Sequence, residues 1–101
     1  PKSHSKRYFL ELIDEKSPRF VLRNLISRYF KYYERKYWQD HYIYPFPKIL
    51  IICPNVFTKN YLMGFISETL EEKEIPVEFF LALRLDIQKG GIQSDTWEAA
   101  G

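Results

Sequence analysis

The stretch KILIICP, Lys48–Pro54, decides the fold. It is a short, unbroken apolar run rich in β-branched residues and closed by proline, the pattern of a central parallel strand covered on both faces. Pro45 and Pro47 precede it, so the chain enters this strand from a segment that cannot be helical.

On the N-terminal side, residues 18–40 carry Val21, Leu22, Leu25, Ile26, Tyr29, Phe30, Tyr33 and Tyr37 on one broad arc at 100° per residue. The spacing predicts a long helix that lays this arc on a sheet. Ser17 followed by Pro18 supplies an N-cap and a first helical residue. Opposite the arc, Asn24, Arg28, Lys31 and Arg35 form a polar stripe, three of whose four members are cationic. Before the helix, RYFLELI (7–13) reads as a first strand, with Tyr8, Leu10 and Leu12 on one face and Phe9, Glu11 and Ile13 on the other. Glu11 is the anomaly of that strand. A carboxylate removed from water needs a partner, so either the strand lies at a wet edge or Glu11 has a task.

On the C-terminal side, Tyr61, Leu62, Phe65, Ile66, Thr69 and Leu70 have helical spacing, which predicts a second helix over 58–73 before the stop at Pro76. VEFFLALRLDI, Val77–Ile87, then reads as a third strand ended by Gly90 and Gly91. The order is β-α-β-α-β, with parallel strands and right-handed crossovers, a small three-layer α/β domain. A single domain occupies 1–101, with residues 1–5 and 90–101 as flexible tails. The opening without Met reads as a C-terminal fragment of a larger protein, and the exposed edge of the first strand calls for a missing segment, a protein partner or a second copy in a homodimer.

Composition limits what such a domain can do. With 46% hydrophobic residues the chain can build a core, and 18% aromatic content sets it apart from a disordered linker. Fifteen basic residues against thirteen acidic leave +2, so only the placement of charge could support nucleic-acid binding. The basic residues gather in 1–40, whereas Glu68, Glu71, Glu72, Glu74 and Glu78 cluster later. Lone Cys53 excludes an internal disulfide and, inside the most apolar strand, reads as an inert thiol in a cytoplasmic protein. His4 and His41 are not placed to activate it. No apolar run reaches the roughly 20 residues of a membrane span. A phosphate-binding glycine loop is also lacking, because GGIQ has neither the spacing nor a following helix. Function in open α/β sheets gathers at the strand carboxyl ends, here Asp14, Asn55 and Asp86, although Asp14 and Asn55 also suit simple turn formation.

The run YFLELIDEKSPRFVLRNLISRYFKYYE (8–34) followed by FPKILIICP (46–54) resembles the C-terminal half of the replication-relaxation family, proteins carried by plasmids and other mobile elements. The residues that carry the resemblance are Glu11 and Asp14, Arg28 with Tyr29, Tyr32 and Tyr33, and Phe46-Pro47 before Ile49–Ile52; it extends over about residues 6–84. It implies half of a restriction-endonuclease-like core, in which a Glu-x-Lys strand carries a metal-binding carboxylate and a lysine. Glu11 matches the carboxylate, but Ile13 stands where the lysine belongs, and two residues rather than one separate Glu11 from Asp14. The expectation is therefore a non-catalytic, nuclease-like domain of a replication or DNA-processing protein. Lys6, Arg7, Arg28, Lys31 and Arg35 would contact DNA, and Glu11 and Asp14 are the candidate catalytic pair and Mg²⁺ ligands. Two alternatives remain open, a metal-dependent nuclease completed by a missing segment and a structural assembly module.

Overall fold

The computed structural model describes residues 8–35, 46–91 and 96–101. The elements run β1 (Tyr8–Leu12), α1 (Arg19–Glu34), β2 (Lys48–Cys53), α2 (Val56–Lys73), β3 (Phe79–Leu83), α3 (Arg84–Gly90) and β4 (Glu98–Ala99). They form one four-stranded sheet in the order β1-β2-β3-β4, in which β1, β2 and β3 are parallel and β4 is antiparallel to β3. The central strand is the apolar run at 48–53, as its composition demands.

The helices form where the arcs require. Leu22, Leu25, Ile26 and Phe30 are the buried residues of α1, and Leu62 and Ile66 those of α2. Both sets join Ile13, Ile49, Ile51, Cys53, Phe79 and Leu81 in one core. Val21, expected on the buried arc, is 41% exposed, at the margin of the arc that adjoins Arg28. Ser17 does not cap α1. Pro18 occupies the N-cap position in extended conformation with no side-chain bond, while Asp14 takes the turn instead, accepting from Lys16 N at 2.9 Å and, through its carbonyl, from Ser17 N at 3.1 Å. At α2 the cap is Asn55, whose side chain accepts from Thr58 N at 2.8 Å and starts the helix two residues earlier than the periodicity predicts.

The layering differs from the three-layer expectation. Right-handed crossovers that step along a sheet without reversing direction deliver their helices to the same face. Accordingly α1 and α2 touch each other: Arg23 donates to the Tyr61 hydroxyl at 3.0 Å, the Arg19 guanidinium lies 4.6 Å from the Tyr61 ring centre, and Lys73 pairs with Glu34 at 3.0 Å. The second face carries Tyr8, Leu10 and Leu12, which are 49%, 44% and 68% exposed. On that face Ile52 and Ala82 are buried outside the main core, at the strand ends that α3 touches.

Two further corrections concern the C-terminal third. β3 stops at Leu83 rather than continuing to Ile87, and residues 84–90 are helical. Its last partner is Cys53, where β2 itself ends and the chain turns through Pro54 to the Asn55 cap of α2. The end of the chain is not simply a tail, since Glu98–Ala99 pairs with β3 and Ala100 N donates to Phe79 O at 3.0 Å.

Candidate functional site: a cationic cleft at the sheet edge

The site begins with the row of side chains that crosses the helix-covered face. Register places Glu11, Ile51, Leu81 and Glu98 side by side on β1, β2, β3 and β4. The two inner members are fully buried and the two outer members are carboxylates. Glu11 is half-buried beneath α1, and its Oε2 accepts a hydrogen bond from the Tyr29 hydroxyl. That bond gives the tyrosine hydroxyl its acceptor and engages one oxygen of the carboxylate. Burial, the bond to Glu11 and the carboxylate's charge hold the Tyr29 proton well above the ordinary phenol range, with Arg28 opposing weakly.

Around this pair lies an open cleft of about 470 Å³ between β1 and α1. Leu25, Tyr29 and Tyr32 contribute its apolar surface, Arg28, Lys31 and Arg35 its cations, and Glu11 its single carboxylate. The helical spacing explains the grouping, because positions 25, 28, 29, 32 and 35 fall on one side of α1. Phe46 wedges the cleft from behind, with ring centres 6.2 Å from Phe9, 5.9 Å from Tyr32 and 5.5 Å from Tyr33. The Phe-Pro pair ahead of β2 thus fixes the aromatic wall: Pro47 is buried and Phe46 fills the gap between β1 and α1.

The cations of α1 divide sharply in use. Arg19 and Arg23 are spent on Tyr61 of the neighbouring helix. Among the described residues, the two ion pairs are Lys59–Glu98 and Lys73–Glu34, and neither involves Arg28, Lys31 or Arg35. Three cations therefore converge on one cleft with one carboxylate, which is itself engaged by a neutral hydroxyl. Lys6 and Arg7, the other candidate phosphate contacts, lie outside the described residues, as do both histidines.

The metal expectation fares differently. Glu11 and Asp14 belong to separate local networks, one with Tyr29 and the other in the turn before α1, where Asp14 is exposed. Ile13, where the resemblance would put a lysine, is part of the core. No group of three or more acidic, histidine or cysteine side chains is gathered among the described residues, and the polar neighbours of Glu11 in the cleft are cations that repel a dication. Among the described residues Glu11 and Asp14 are thus not assembled into a shared ligand set. The strand carboxyl ends are likewise taken up structurally: Asn55 caps α2, Asp86 sits in the first turn of α3, and Cys53 is fully buried with its thiol pushed up to about 11 by desolvation. The parallel strands never reverse order, so they create no switch-point crevice for a ligand.

Fold and cleft together define a small open-sheet α/β domain with a basic, aromatic-walled groove along its edge. No protein family, curated protein or solved structure matches the chain. Among the described residues no helix is long and apolar enough to cross a membrane.

Proposed function

We propose that the cleft between β1 and α1 binds the phosphate chain of a nucleic acid, and that the domain serves, without cleaving, in a replication or DNA-processing protein of a mobile element. The observation that carries this reading is the convergence of Arg28, Lys31 and Arg35, unpaired among the described residues, on one groove with tyrosine walls. Cations set along a groove neutralise successive phosphates, and aromatic walls accept bases. The sequence resemblance to the replication-relaxation family supplies the biological setting. The filled lysine position at Ile13 argues for binding without hydrolysis.

Fluorescence anisotropy of a labelled single-stranded oligonucleotide of mixed sequence tests the reading. Affinity should fall with salt, with a log–log slope of about −2 for three phosphate contacts on a single strand. Arg28→Glu, Lys31→Glu and Arg35→Glu together should abolish that salt-sensitive binding, while the melting temperature changes little because all three side chains are exposed. Binding that survives the triple reversal, or a wild-type chain that binds nothing at low ionic strength, would sink the proposal.

A further inference from the structure

A groove made only for phosphates would gain from losing its carboxylate. Glu11 nevertheless stands in it, fixed by Tyr29 through Oε2. An ionised carboxylate has about four acceptor positions on two oxygens, so the tyrosine leaves most of its accepting capacity unused. A phosphate cannot use that capacity, because it has no proton to give. The group that can is a flat donor edge on a unit that also bears a phosphate.

Resting on the phosphate-chain reading above, we infer that the cleft receives one unpaired guanine nucleotide, its Watson–Crick edge donating to Glu11 while its phosphates meet Arg28, Lys31 and Arg35. Guanine N1–H and N2–H lie side by side and match the two oxygens of a carboxylate, whereas adenine and cytosine offer one exocyclic amine and thymine a single ring N–H. That edge is closed in a duplex and open in a single strand. Tyr29 and Tyr32 supply the apolar walls that a base requires. The hydroxyl of Tyr29 is a positioning group here: it holds Glu11 in one rotamer and keeps the carboxylate from collapsing onto the neighbouring guanidinium groups. The volume of about 470 Å³ is enough for one nucleotide.

The test uses the whole chain and four twelve-residue oligonucleotides, oligothymidylate and its variants with one central guanine, adenine or cytosine, compared at fixed salt by anisotropy. The guanine strand should bind about tenfold more tightly than the other three, the discrimination expected of a bidentate pair. Glu11→Gln, which preserves shape and still accepts from Tyr29 but presents a single acceptor oxygen, should erase that preference, so that all four strands bind equally, still salt-dependently and no more weakly than wild type binds oligothymidylate. Competition with free guanosine monophosphate separates the two sources of the ligand: displacement at concentrations comparable to the strand's assigns the site to a free nucleotide, and weak displacement assigns it to a strand. Equal affinity for all four strands, still steeply salt-dependent, overturns the guanine contact and leaves the phosphate reading standing. Retention of the preference in Glu11→Gln overturns the role of Glu11. Absence of salt-sensitive binding to every strand removes both.

Discussion

The two ends of one row across the sheet hold the same residue type in opposite circumstances. Glu98, on β4, is 60% exposed and pairs with Lys59 of α2 at 2.6 Å, a charge meeting a charge at the solvent boundary. Glu11, on β1, is half-buried and meets a neutral hydroxyl, although three cations share its cleft. Between them Ile51 and Leu81 are wholly buried. The difference teaches where the domain is finished and where it is left open. At β4 the opposite charges are consumed by the fold, whereas at β1 a tyrosine engages one oxygen of the carboxylate and leaves the cations for something else.

Breaking the middle of the row should cost most. Ile51→Ala removes a fully buried side chain flanked by Glu11 and Leu81 and should destabilise the domain by about 2–5 kcal/mol in chemical denaturation, the range for buried large-to-small changes. Tyr29→Phe comes next. It deprives a half-buried carboxylate of its donor and should cost about 1–3 kcal/mol near neutral pH. It also has a pH signature. Because the Tyr29 proton is held more tightly in the folded chain than at the ordinary value of 10.0, its stabilisation is complete below pH 10 and declines as the pH rises above it. The difference in melting temperature between wild type and Tyr29→Phe should therefore shrink in strongly alkaline buffer; a constant difference would show that the hydroxyl contributes nothing beyond packing. Glu98→Ala should matter least, at about 0–1 kcal/mol, and the loss should vanish in molar salt. If Glu98→Ala cost as much as Tyr29→Phe, the contrast between the two edges would collapse.

Much of this architecture was legible in the chain. The uninterrupted apolarity of Ile49–Cys53 identifies a central strand, and the arc through Leu22, Leu25, Ile26, Tyr29 and Phe30 identifies the face of α1 that reaches the core. The same periodic reasoning failed at Leu83–Ile87, where apolar and polar residues alternate as in a strand although the segment is mostly helix. Strand termination there coincides with the end of the partner strand at Cys53, which the segment's own pattern does not reveal. β4 was illegible because two residues carry no period, and the one-sided layering because hydrophobic pattern contains no strand order. Of the site, Glu11 stood out by its chemistry, and Arg28, Lys31 and Arg35 by their spacing. Its true partner did not. Tyr29 lies on the apolar arc, and a tyrosine buried there needs an acceptor for its hydroxyl. That requirement was the available signal.

The position of the cleft on an outermost strand also has a dynamic consequence. Among the described residues β1 is bonded along one side only, to β2, while β2 is bonded on both. Backbone amides of a sheet exchange with solvent through openings whose free energy rises from edge to centre, so β1 can part from the sheet at less than the cost of global unfolding. The half of the cleft that carries Glu11 is thus mounted on the more yielding strand, and the half that carries the cations on a helix anchored to the core through Leu22, Ile26 and Phe30. A ligand bridging the two would act as a clasp, slowing amide exchange in β1 selectively and leaving β2 and β3 as they were.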